Sequence, residues 1–115
     1  TSGPVSTVTT HVLDTALGRP AANVPVRLER VTAEHVLEVA RAATDGDGRV
    51  RELGPHDLPA GTYRLVFGTG DYFAATGREA FYPQVTVDFT IADPDQHYHV
   101  PLLLGPFGFT TYRGS

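Results

Sequence analysis

Three histidines, an arginine behind a glycine turn and a polar chain end are the residues whose types and spacing suit chemistry here. In His97-Tyr98-His99-Val100-Pro101-Leu102-Leu103-Leu104, strand alternation puts His97 and His99 on one face and Tyr98, Val100, Leu102 and Leu104 on the other, apolar one. The same reading of Val8 to Asp14 turns Val8, Thr10 and Val12 inward and His11 outward, beside Leu13. A lone surface histidine is ordinary. Outward histidines flanked by Leu and Pro point instead to an outer sheet face covered by another subunit. Arg49 follows the turn Asp45-Gly46-Asp47-Gly48. Its plain reading is a solvated arginine. The turn mimics the start of a calcium loop, but Arg49 occupies the next ligand position and the closing Glu is missing, so calcium is rejected. Thr110 to Ser115 follow an apolar, aromatic run. A chain end normally frays, but one carried on a packed strand delivers a tyrosine, a guanidinium and a hydroxyl to a fixed place.

The chemistry open to these residues is narrow. The chain has no Cys, which removes disulfides, thiolate metal sites and thiol nucleophiles. All nine basic residues are Arg, so Lys bases and Schiff bases are excluded. Serine occurs only at positions 2, 6 and 115, which disfavours a serine nucleophile inside the fold. His, Asp/Glu, Arg, Tyr and Thr remain. Imidazole suits general acid–base work because its ordinary pKa lies near neutrality. A three-histidine zinc site is an alternative, on a weak signal, because paired histidines on strands are common. The carboxylates are scattered and form no acid–base pair of the glycosidase type. Net charge is −4 with no basic run, which argues against nucleic acid as a partner. No apolar run is long enough to span a membrane.

The elements that must hold these residues have a period of two. Val24, Val26 and Leu28, then Tyr63, Leu65 and Phe67, then Val85, Val87, Phe89 and Ile91 each form the apolar side of a strand. Gly18-Arg19-Pro20, the Asp45 turn, Pro59-Ala60-Gly61, Asp93-Pro94-Asp95 and Gly105-Pro106 punctuate them. Such spacing predicts an all-β sandwich. One segment, Asp71 to Gly77, has a capping Asp, two alanines and a terminal Gly, and predicts one short helix. The 115 residues suffice for one domain, read as a loose lead-in at 1–6 and a single domain at 7–115.

Thr10-His11-Val12-Leu13-Asp14, Gly18-Arg19-Pro20-Ala21 with Val24-Pro25-Val26, Asp47-Gly48-Arg49, and His99-Val100-Pro101-Leu102-Leu103-Leu104 with Thr111-Tyr112-Arg113-Gly114-Ser115 together resemble the 5-hydroxyisourate hydrolases, also called transthyretin-like proteins. The resemblance covers nearly the whole chain. One departure is Gly105, where the family usually has Ser before Pro106. The resemblance implies a transthyretin-like sandwich of eight strands and one helix. It also implies a homotetramer built as a dimer of dimers, with sites in the channel between dimers. The implied reaction hydrolyses 5-hydroxyisourate to 2-oxo-4-hydroxy-4-carboxy-5-ureidoimidazoline in urate degradation, with no metal or organic cofactor.

On that basis His11 and His99 are the expected pair that deprotonates water and returns a proton to the leaving nitrogen, in either order. Arg49 is expected to bind substrate oxygens and stabilise developing charge. Tyr112, Arg113 and Ser115 are the expected substrate-binding residues, with Arg113 either facing the channel or holding the C-terminus. His97 is expected at the surface or in support. The rivals are a binding module, since transthyretin carries hydrophobic hormones on this fold, and a non-catalytic interaction sandwich. His11, Arg49, His99 and the Tyr-Arg-Gly-Ser end favour the enzyme. With no signal pattern and no Ser-Lys-Leu tail, the expected location is cytoplasmic.

Overall fold

Alternating apolar residues are resolved into two packed sheets in the computed structural model, which describes residues 6–114. The elements are β1 (Val8–Asp14), β2 (Arg19–Pro20), β3 (Pro25–Val31), β4 (Val36–Ala43), β5 (Arg49–Val50), β6 (Gly61–Phe67), α1 (Thr69–Ala75), β7 (Val85–Ile91), β8 (Tyr98–Leu104) and β9 (Phe109–Thr111). One sheet runs β2-β1-β8-β9, with β5 also on β1; the other runs β4-β3-β6-β7. β1 and β8 are parallel and the remaining pairs antiparallel. The expected sandwich with one short helix is therefore present.

The inner faces are those the alternation indicated. Val8, Thr10 and Val12 are buried on β1, and Tyr98, Val100, Leu102 and Leu104 on β8. Opposite them, Val26, Leu28, Tyr63, Leu65, Phe67, Val85 and Ile91 fill the core from the second sheet. Val87 and Phe89 are only half-buried, because β7 is an edge strand with one ladder partner. Among the described residues no helix is long and apolar enough to cross a membrane.

Three details depart from the sequence reading. Among the described residues there are nine strands rather than eight, and two of them, β2 and β5, are two-residue ribbons on β1. Pro20 is tolerated in β2 because that ribbon is a sheet edge, where a missing N–H breaks no ladder. The helix starts two residues before Asp71, which lies in its first turn and does not cap it. Burial of Thr69, Tyr72 and Phe73 decides that frame, and tertiary packing outweighs the capping signal. Ser6, the last residue of the expected lead-in, is buried, and its hydroxyl donates to the Gly54 carbonyl at 2.9 Å and accepts from the Leu53 amide at 3.0 Å. Residues 1–5 and Ser115 lie outside the described residues.

Asp14 clamps the helix to the far end of β1. Its buried carboxylate accepts from Tyr72 Oη at 2.7 Å, Arg78 Nη2 at 2.6 Å and the Leu17 amide at 3.0 Å. Burial pushes its pKa up, but the hydrogen bonds from Arg78 and Tyr72 outweigh that and hold it below the ordinary value. A carboxyl whose folded pKa is depressed stabilises the fold above its unfolded pKa, and the stabilisation fades as pH falls through the folded value. Asp14→Asn keeps the shape and loses the charge. It is expected to cost about 2 kcal/mol at neutral pH, in the range for hydrogen bonds to charged groups. Urea midpoints at fixed protein concentration check this: the gap to wild type should close as pH falls below the ordinary aspartate range. A gap independent of pH would mean that the charge contributes nothing.

Candidate active site

The outer face of the first sheet collects the polar residues. In the β1–β5 ladder His11 stands directly opposite Arg49, and in the parallel β1–β8 ladder Thr9 stands opposite His99. Thr9 and His11 are two apart on β1, so both point away from the core. All four side chains are half-buried on one wall.

A glycine sets the Arg49 side of that wall. The Asp45 carboxylate accepts from the amides of Asp47 at 2.9 Å and Arg49 at 3.0 Å, which closes the turn. Gly48 then presses against β1, its carbonyl accepting from the Val12 amide at 2.7 Å. Its φ is +75°, and a Cβ there would lie 2.4 Å from the Val12 carbonyl oxygen. Only glycine allows the turn to sit this close and to present Arg49 across from His11.

A second glycine brings the tail onto His99. The Gly114 amide donates to the His99 carbonyl at 2.8 Å. A Cβ on Gly114 would stand 2.7 Å from Cδ2 of the His99 ring and 3.1 Å from Pro101 Cγ. The tail can therefore pass over the imidazole only without a side chain at this position.

His99 is held from behind. Thr9 Oγ1 lies 2.8 Å from His99 Nδ1 and 2.9 Å from His97 Nε2. His97 Nδ1 in turn lies 3.0 Å from the Ser6 carbonyl oxygen. A cavity of about 230 Å³ opens here, lined by Thr9, Arg49, Arg51, His97 and His99, with Thr10 and Val50 at its base. Burial is the main cause that lowers the pKa of His99, followed by the charges of Arg49, His11 and His97. Burial and then Arg49 also lower His11, against an opposing pull from the Asp47 backbone and the Asp45 and Asp47 carboxylates. Two imidazoles are thus biased toward their neutral, proton-accepting form beside a permanent cation, the protonation state a base needs at neutral pH.

Arg49 and His99 line this cavity, and His11 stands beside it, opposite Arg49 in the ladder, without being one of its lining residues. Tyr112 and Arg113 do not join them within the protomer. The Arg113 guanidinium stacks 4.4 Å from the Tyr98 ring centre and reaches Gln96 Oε1 at 3.2 Å and the His97 carbonyl at 3.4 Å. These contacts tie the tail to Tyr98 and to the segment before it within the protomer. Both residues line a separate cavity of about 330 Å³ with Val87, Phe89, Tyr98 and Val100. That cavity is larger but mostly apolar and contains no histidine. Ser115 lies outside the described residues. Among those residues no group of three His, Cys, Asp or Glu side chains converges as metal ligands would, so the zinc alternative gains no ligand set.

Thr9 is the residue that sequence reasoning missed. Its signal was available: it is two residues before His11, on the same outward face of β1. A threonine there is so common on strand surfaces that only the two imidazole contacts give it meaning.

Comparison with known proteins identifies the family and the fold. The model of the HIUase/transthyretin family matches residues 8–114. A 5-hydroxyisourate hydrolase of Caulobacter vibrioides is 47% identical over 115 residues, spanning 96% of this chain and 100% of that one. Among solved structures, a Klebsiella pneumoniae 5-hydroxyisourate hydrolase superposes with a TM-score of 0.84 at 40% identity, covering 94% of this chain and 98% of its own. A transthyretin from Sparus aurata superposes with a TM-score of 0.87 at 31% identity, covering 93% and 95%.

Proposed function

The chain belongs to the HIUase/transthyretin family, and we propose that it hydrolyses 5-hydroxyisourate, with His11, Arg49 and His99 as the reacting wall. The observation that carries this reading is the pair of ladder registers that sets His11 against Arg49 and Thr9 against His99 on one outer face. The substrate is a flat, polar heterocycle. Water donates a proton to an imidazole as its oxygen bonds to a ring carbonyl carbon, and the carbonyl oxygen takes up negative charge. Arg49 donates to that oxygen with its planar fork. When the tetrahedral centre collapses, the C–N bond breaks and an imidazolium returns the proton to the departing nitrogen. The net change adds one water across the C–N bond and yields 2-oxo-4-hydroxy-4-carboxy-5-ureidoimidazoline. These steps use only side chains of the chain itself.

The cavity of about 230 Å³ on one protomer is below the ordinary range for enclosed ligand sites. A second copy closing over this face would complete it, which supports a homotetramer with sites between dimers. Tyr112 is 55% exposed and lies on the other cavity of this protomer, so as a substrate contact it would have to act in such an assembly.

Carriage of a ligand is the second reading, because the transthyretin neighbour matches the fold as well as the hydrolase does. The fold alone does not decide between them. A carrier has no use for two imidazoles biased to the neutral form beside a cation.

The test is ultraviolet spectroscopy of 5-hydroxyisourate generated in place by urate oxidase, with the unaided decay subtracted. Faster decay at catalytic protein concentrations is the expected result. No acceleration by a preparation whose mass in solution is four chains would overturn the hydrolase reading in favour of carriage.

A further inference from the structure

The hydrogen-bond chain behind His99 has one self-consistent direction when its imidazoles are neutral. It begins at the Ser6 carbonyl oxygen, which can only accept, so His97 Nδ1 at 3.0 Å carries a hydrogen. A neutral imidazole has one N–H, so His97 Nε2 is a lone pair. It therefore accepts from the Thr9 hydroxyl at 2.9 Å. That contact uses the only hydrogen Thr9 has. The remaining contact, 2.8 Å between Thr9 Oγ1 and His99 Nδ1, is made with the hydroxyl oxygen accepting. His99 Nδ1 then carries the hydrogen and its Nε2 does not. Among the described residues none hydrogen-bonds to that Nε2, and the His99 side chain lines the cavity.

We propose that Thr9 and His97 are positioning residues that lock His99 in the Nδ1–H tautomer, so that its unprotonated Nε2 is the nitrogen that takes the proton from water. This rests on the hydrolase reading and deepens it, because it assigns the base that the sequence left open between His11 and His99. The proton balance is closed. Water gives its hydrogen to His99 Nε2, the Nδ1–H bond to Thr9 stays in place and steadies the imidazolium, and Nε2–H then delivers the proton to the departing nitrogen. The lock also fixes the ring plane. Thr9 holds one edge of the imidazole while Gly114 packs against the other at Cδ2, so Nε2 points at one place over repeated turnovers.

His97 sets the direction of the chain. Without it the Thr9 hydroxyl is free to donate to His99 Nδ1, which moves the His99 hydrogen to Nε2 and blocks the base. Removing either residue therefore harms catalysis by different routes: Thr9→Val deletes the lock and His97→Phe inverts it. Thr9→Ser keeps the hydroxyl and should rescue.

The experiment combines nitrogen NMR of histidine-labelled full-length protein with steady-state kinetics on 5-hydroxyisourate. The spectra are recorded at a pH where His99 is neutral, and His99→Asn identifies its signals. In wild type the hydrogen should be on Nδ1 of His99, in His97→Phe on Nε2, and in Thr9→Val on a mixture. Thr9→Val should lower kcat by about 10- to 100-fold, a part of the usual acid–base contribution, with KM little changed. Thr9→Ser should return most of the loss. A wild-type His99 with its hydrogen on Nε2 overturns the proposal whatever the activity. Thr9→Val turning over like wild type, while His99→Asn is impaired, overturns it too and leaves the hydrolase reading standing. A wild type that fails to accelerate decay yet carries hydrogen on His99 Nδ1 sinks the hydrolase reading and supports the lock. Should Thr9→Val fold poorly, the tautomer in Thr9→Ser and His97→Phe decides alone.

Discussion

His99→Asn should lower turnover by about two to four orders of magnitude, the usual range for acid–base help, and leave the sandwich and its assembly intact. Asparagine retains a polar group near the Thr9 hydroxyl but has no atom where Nε2 stood, so water loses its base. The backbone of residue 99 is unaffected. Its carbonyl still accepts from the Gly114 amide, and the β1–β8 register does not depend on the ring. His99 is only half-buried, so removing the imidazole opens no large cavity in the core. The expected pattern is low kcat with an unchanged mass in solution and an unchanged unfolding midpoint. Near-normal turnover would take His99 out of the mechanism, and His11 would then be the base.

The fold was legible because its strands alternate cleanly. Val8, Thr10 and Val12, and Tyr98, Val100, Leu102 and Leu104, are buried as the period of two requires. The outward placement of His11 and His99 follows from the same alternation. What sequence alone did not yield depends on contacts between distant segments. Thr9 gains its role from His97 and His99, 88 and 90 residues away. Gly48 and Gly114 are read from sequence as a turn residue and a tail residue, but each is required by a close approach to another strand. Arg113 looked equally suited to a channel or to an anchor, and its contacts within the protomer are with the Tyr98 ring at the start of β8 and the Gln96 side chain just before it. The helix frame was shifted for the same reason, since burial of Tyr72 and Phe73 is a tertiary quantity.

Arg49→Met should act twice, and the two effects separate by pH. At the plateau the rate should fall by about 10²–10³, the cost of losing one donor to a developing oxyanion. The acid limb of kcat/KM should also move. Arg49 is the largest charge acting on both imidazoles and lowers the pKa of each, after burial. The base works only when neutral. With Arg49 in place, activity should persist below the ordinary histidine pKa of about 6.5 and fall as pH drops through the lowered value. Without the cation the limb shifts to higher pH, though not fully back to 6.5, because burial remains. Arg49→Lys distinguishes field from geometry. Its ammonium keeps the charge but not the bidentate fork, so the acid limb should stay near the wild-type position while the plateau rate still drops. An Arg49→Met profile whose acid limb coincides with wild type would mean that the titrating group lies beyond the reach of Arg49, and His11 and His99 would both lose their place as the base.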